Sequence, residues 1–259
     1  MQLITENETN PQILTREDLT DIRSRLDRVD EHILNLNCEI GTFLNQRPDE
    51  SLSDDKQTAA HELWGFYVKR GIPPRFSVIA GEIVHHLRSC LDNIVWLLSS
   101  ERYRQSNERD IGFPICRHKA LTEGKLAGYK SKVAGIESPA ALALIERIQP
   151  YNAADAFDDP LEIVNELNRI DKHHNLVFVV NTVHLKISVP VIQSVVIRPF
   201  EREPKVLMAA PLTDKMELKF TFQVAFRQFG RKENEPVIAA LTHLYSAVSD
   251  VVKMFAGEI

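Results

Sequence analysis

The chain has 259 residues, 44% hydrophobic and 26% charged, the proportions of an ordinary soluble folded protein, which excludes the disordered, fibrous and membrane-spanning classes. A formal net charge of −5 argues against a protein that coats duplex DNA, although a local basic patch is compatible with an acidic total. Cys38, Cys90 and Cys116 are odd in number and far apart, which predicts free thiols in a reducing compartment. The opening MQLITENETNPQ lacks the basic and apolar segments of an export signal and no run of about 18 apolar residues occurs, so a cytoplasmic protein without a membrane partner is expected.

Thr15 with Asp18 three residues on reads as a capping box and predicts a helix from about Arg16. Leu19, Ile22, Leu26, Val29, Ile33, Leu36, Ile40 and Phe43 then recur at alternating spacings of 3 and 4, the seam of a long helix ended by Pro48. Such a seam suits internal bundle packing, with a homodimer through this N-terminal helix as the alternative. Residues 48–58 are polar and turn-rich, and 59–68 fit a helix or a strand. Pro73 and Pro74 predict an extended turn, with Ser77 capping the next helix.

That next helix, 79–98, reads IAGEIVHHLRSCLDNIVWLL and is the centre of the chain. At 100° per residue its apolar residues fill an arc wider than a surface helix shows, and the remaining arc collects Glu82, His85, His86, Arg88, Ser89, Asp92 and Asn93. A solvated face is filled with Lys, Glu and Gln, whereas this arc has no Lys and is dense in groups that titrate or hydrogen-bond at short range.

Residues 99–118 read as a long connection carrying Arg102, Arg104, Arg109 and Arg117, a set that is either a solvated surface or a phosphate contact. A weak helix over 121–134 and a better one opened by Ser138 and Pro139 follow. Asp159 and Pro160 open the next, LEIVNELNRIDKHHNLVFVV, whose apolar face contains Val164, Leu167 and, if the helix continues, Phe178. Asp171 projects into the middle of that face, flanked by His174 and Asn175. A carboxylate there requires a partner, and Arg88 or a histidine of the central helix is the natural supplier. From Val183 the period changes to 2, clearest in ELKFTFQVAF, and Asn234, Glu235 and Pro236 start a striped C-terminal helix.

The expected fold is therefore α+β, a single domain: a bundle of about five helices over 1–181 with a long N-terminal helix, then an antiparallel sheet and a closing helix over 182–259. The segments GEIVHHLRSCLDN and DKHH resemble a family of bacterial hypothetical proteins sharing a GE-x-x-H-x-LRS-x-LD and a DKH segment, a resemblance that spans most of the chain and implies no particular activity. A weaker resemblance is to the HEPN helical ribonucleases, marked by an Arg and a His separated by four to six residues on a helix. Arg169 with His174 and Arg25 with His32 have that spacing, while the central helix departs from it, with Asn93 where Arg88 would require a histidine.

Two function classes follow. In the first, an RNA- or nucleotide-directed site lies between the 79–98 and 160–180 helices: Arg88 holds a phosphate, His85 or His174 moves a proton, Asp171 orients a histidine, and Glu82, Ser89, Asp92, Asn93, Lys172 and His173 surround them as binding residues. In the second, the same cluster is structural and the protein is an interaction or scaffold protein. A metal reading pairs Glu82 with His85 and Asp171 with His174, but the further carboxylates of a di-metal bundle are not placed, so no metal is expected. Glycine-rich phosphate loops and a G-x-S-x-G elbow are absent, so no cofactor is implied.

Overall fold

Pro73 and Pro74 start the central helix. A proline at the first helical position has its φ preset and no N–H to leave unsatisfied, so the helix begins well before the expected start at Ile79; it runs Pro74–Leu98. Ser77 is consequently inside the helix, where its hydroxyl donates to the Leu176 carbonyl at 2.9 Å instead of capping. The computed structural model describes residues 13–46, 62, 65–66, 69–119, 123–174, 176–188, 195–198, 205–208 and 217–258.

In chain order the elements are α1 (Thr20–Asn45), α2 (Pro74–Leu98), α3 (Glu101–Asn107), α4 (Glu123–Val133), α5 (Pro139–Arg147), α6 (Pro160–His173), β1 (Phe178–Ser188), β2 (Val195–Arg198), β3 (Lys205–Met208), β4 (Glu217–Phe229), β5 (Lys232–Pro236) and α7 (Val237–Ala256). The fold is α+β: mostly helical, with a small antiparallel sheet near the C-terminus and a closing C-terminal helix.

The α1 seam is internal. All eight of its residues are at most 7% exposed, packed in one hydrophobic cluster with α2 and α7. Each fully buried aliphatic side chain contributes about 1.5–3 kcal/mol. A dimer through α1 would therefore rest on its outer face, where Leu34 is 57% exposed. The capping box forms, with Thr15 N–H donating to Asp18 Oδ2 at 2.9 Å and Asp18 N–H to Thr15 Oγ1 at 3.2 Å, but residues 16–19 make a turn and the α-helix starts only at Thr20.

Local sequence signals place α5 and α6. Ser138 Oγ accepts from the Ala141 N–H, and the Asp159 carboxylate accepts from the Leu161 and Glu162 N–H groups. The 99–118 connection contains α3 and a 3-10 turn, Glu108–Asp110. Arg104 lies over the Trp96 ring at 5.6 Å, a contact that favours helix over open loop. Glu62, Gly65 and Phe66 of the ambiguous 59–68 stretch are helical, and its other residues, like 47–58, lie outside the described residues.

α6 ends at His173, so Phe178 opens β1 instead of extending the helix, and the change of period falls before Val183. β1 pairs antiparallel with β4, Phe178 opposite Phe226, with an irregularity between Thr182 and His184. Residues 189–194 lie outside the described residues, and β2 pairs with β3 as a separate two-stranded ribbon. Asn234, Glu235 and Pro236, expected to begin the last helix, belong instead to strand β5, hairpin-paired to β4. Gly230 permits that turn: its φ is +61°, and a Cβ there would meet Asp158 Oδ1 at 2.7 Å. α7 closes in a Schellman arrangement on Gly257, with Glu258 N–H donating to Lys253 O at 2.9 Å. It is long and apolar enough by composition to cross a membrane, but its apolar stripe, from Val237 to Phe255, is buried in the core.

Leu36→Ala should lower the unfolding free energy by about 3 kcal/mol in urea denaturation, as expected for a fully packed leucine. Leu34→Ala, on the same helix but exposed, should change it by less than about 0.5 kcal/mol.

Candidate functional site

The polar arc of α2 divides into an inward and an outward half. Arg88, 9% exposed, belongs to the inward half. Its Nη2 donates to Asp92 Oδ1 and to the Phe113 carbonyl, both at 2.7 Å, and its Nε donates to Asp92 Oδ2 at 3.2 Å. Asp92 Oδ1 also accepts from the Phe113 N–H at 2.8 Å. The i,i+4 pair thus holds both backbone groups of Phe113, whose ring is fully buried, and fastens the 111–116 segment to α2. Gly112 lies close against it, since a Cβ there would stand 3.2 Å from Asp92 Oδ1. Arg88 and Asp92 are therefore occupied by the fold, and of the two partners expected for Asp171, Arg88 or a histidine, Arg88 does not meet it.

Asp171 does meet α2, at Gly81. A Cβ on Gly81 would stand 2.6 Å from Asp171 Cγ and 2.7 Å from Oδ2, so the carboxylate occupies the space the glycine leaves. Burial pushes its pKa up, His85 opposes that shift and Glu82 reinforces it. Glu82 and His85 are exposed and Asp171 is half-buried. Lys172, His173 and His174 are exposed at the end of α6, where the His174 N–H caps the helix on Ile170 O at 2.7 Å. Ser89 and Asn93 are half-buried. Among the described residues no group of three or more His, Cys, Asp or Glu is arranged to hold a metal ion.

The outward half gains residues from α1. The rings of His32 and His86 stack with centroids 6.1 Å apart and planes within 15°, and His85 lies 6.0 Å from His86. His86 Nδ1 is buried without a partner. Burial holds the His86 pKa down, and the positive fields of His85, Arg25 and His32 add to that against the opposing Glu82. Arg25 and His32, paired in the sequence only by spacing, thus face His85 and His86 across α1 and α2; the signal was a half-buried histidine on each helix next to its seam. Cys90, on the buried side, donates to Ile22 O, and burial pushes its thiol up to about 12, so it is no nucleophile.

Sequence reasoning also passes over buried Glu162. It pairs with Arg117 at 2.9 Å, and Arg117 lies over Phe157 at 5.0 Å, so this arginine of the 99–118 set has a structural engagement. Comparison with protein-family models, curated proteins and solved structures returns no significant match.

Gly81→Ala sets a helix-propensity gain of about 1 kcal/mol against a clash cost of about 1–3 kcal/mol. The substitution should be neutral to destabilising in the wild type and stabilising in an Asp171→Ala background, read as a double-mutant cycle in urea. His86 has a folded pKa below the unfolded value of about 6.5, so the unfolded chain binds more protons in the window between them. The His86 contribution is complete above that unfolded value and is lost as pH falls through the folded pKa. The pH dependence of stability below about 6.5 should flatten in His86→Phe.

Proposed function

We propose that the protein acts on RNA without a metal, at the face where α1, α2 and α6 present Arg25, His32, His85, His86 and Asp171. The observation that carries this reading is the stacked His32–His86 pair with His85 beside it. Cleavage of a ribose phosphodiester needs a proton acceptor, a proton donor and a cation, and the face supplies all three. His86 is the acceptor: burial and the surrounding positive charge favour the neutral ring, whose N–H sits at the buried Nδ1 and whose lone pair at Nε2 is left to take a proton. It takes the 2′-hydroxyl proton as the 2′-oxygen attacks phosphorus. The P–O5′ bond breaks, and His85, in the field of the Asp171 carboxylate, delivers a proton to the departing oxygen. Arg25 balances charge on the non-bridging oxygens. An open, half-exposed face suits a polymer strand better than a small molecule, and the Arg25–His32 spacing matches the HEPN resemblance.

The Arg88–Asp92–Phe113 clamp supports the competing reading, that the arc is structural and the protein a scaffold. Incubation with mixed RNA with and without chelator separates the two. Chelator-resistant cleavage that falls by about 10²-fold or more in His86→Ala and Arg25→Ala is expected. Cleavage that requires a divalent metal would overturn the metal-free mechanism and turn to Glu82, His85, Asp171 and His174 as ligands, whereas no cleavage by wild type, with variants that only melt lower, would leave the cluster as structural glue.

A further inference from the structure

We infer that the cavity between the 113–118 segment and α4 binds a small phosphorylated organic molecule, with the phosphate group seated against Lys132. The cavity measures about 520 Å³, within the range of ligand sites, and is lined by Pro114, Cys116, His118, Tyr129 and Lys132. It lies apart from the histidine face and stands independently of the reading proposed for it.

The charge around it does not balance. Lys132 is half-buried, and among the described residues the groups whose charge acts on it are Arg88 and Asp92, with the Cys116 thiol beside them. Asp92 already accepts from Arg88 Nε, Arg88 Nη2 and the Phe113 N–H. Among the described residues two cations therefore share one committed carboxylate, and burial and Arg88 push the Lys132 pKa down against Asp92 and Cys116. Arg88 Nη1, one residue behind the Pro114 wall through the Phe113 carbonyl, is buried without an acceptor. Buried charges are normally met, so Lys132 on the cavity wall marks a place for an anion, and the guanidinium of Arg88 behind the wall adds positive field to it.

Among the described residues, neighbouring side chains do not fill that place. Glu146 is engaged by the hydroxyls of Tyr129 and Tyr151, and Arg117 is paired with Glu162 at the rim. His118 stands exposed at the mouth as a further donor. A doubly charged phosphate answers this surplus better than a carboxylate, and the Tyr129 ring with Pro114 offers a surface for the organic part.

Calorimetric titration of the full chain with AMP, inorganic phosphate and acetate tests the assignment. Wild type should bind AMP and, more weakly, phosphate, with no acetate binding. Lys132→Met should weaken AMP binding at least tenfold while its ligand-free melting temperature holds or rises, because an uncompensated charge has gone. Lys130→Met, on the exposed side of α4, should bind as wild type does. The inference is overturned if wild type binds neither AMP nor phosphate at millimolar concentration, if acetate binds as well as phosphate, or if Lys132→Met keeps its affinity. A Lys132→Met protein that melts several degrees lower without ligand would make Lys132 the structural partner of Asp92 and overturn it too.

Discussion

The burial of the broad apolar arc of α2 is the constraint on which the rest of the structure depends. Apart from the exposed Val78, its apolar residues from Phe76 to Val95 are at most 5% exposed, and a helix apolar over so wide an arc is stable only when surrounded. α1, α6 and α7 provide that surround. Each polar group on the covered side of α2 then has to be satisfied where it stands. Ser77 donates to the chain beyond α6, Cys90 to α1, and Arg88 to the segment before α4, so each ties the central helix to a different neighbour. The apolar contacts supply the stability, and these few polar contacts set how the neighbours are oriented and in what register.

Features written locally were legible in the sequence. The α1 seam, the Ser138 and Asp159 caps and the existence of strand β4 all depend on residues within a turn or a strand of one another. Where the expectation failed, two local rules competed or a distant partner decided. Pro74 both restricts Pro73 and opens a helix, and the second effect prevailed. Asn234, Glu235 and Pro236 carry a helix-start signal, yet the Gly230 turn and the edge of β4 claimed them for a strand.

The candidate site shows the same division. Arg88 and Asp92 are four residues apart on one helix face, so their pairing was available from spacing alone, whereas the expectation offered Arg88, or a histidine, to the distant Asp171. Asp171 reaches α2 as expected, but what meets it is an absent side chain. A glycine inside a helix costs about 1 kcal/mol relative to alanine, and at Gly81, next to Glu82 and His85, that cost leaves room for the carboxylate from α6 that sits over it. The His32–His86 contact joins residues more than fifty positions apart and left only a faint trace, two histidines beside two seams.

Two of the buried polar atoms without partners among the described residues, His86 Nδ1 and Arg88 Nη1, are on α2, two residues apart in sequence. One belongs to the outward half of the polar arc and the other to the inward half, behind the α4 cavity. Leaving such a group unmet costs about 1–3 kcal/mol, and the helix that bears both is the one whose packing the other helices share. A ligand that supplied either missing partner would stabilise the folded chain in proportion to its occupancy. Binding at either place would therefore act on the whole bundle through α2, and a gain in stability would accompany it.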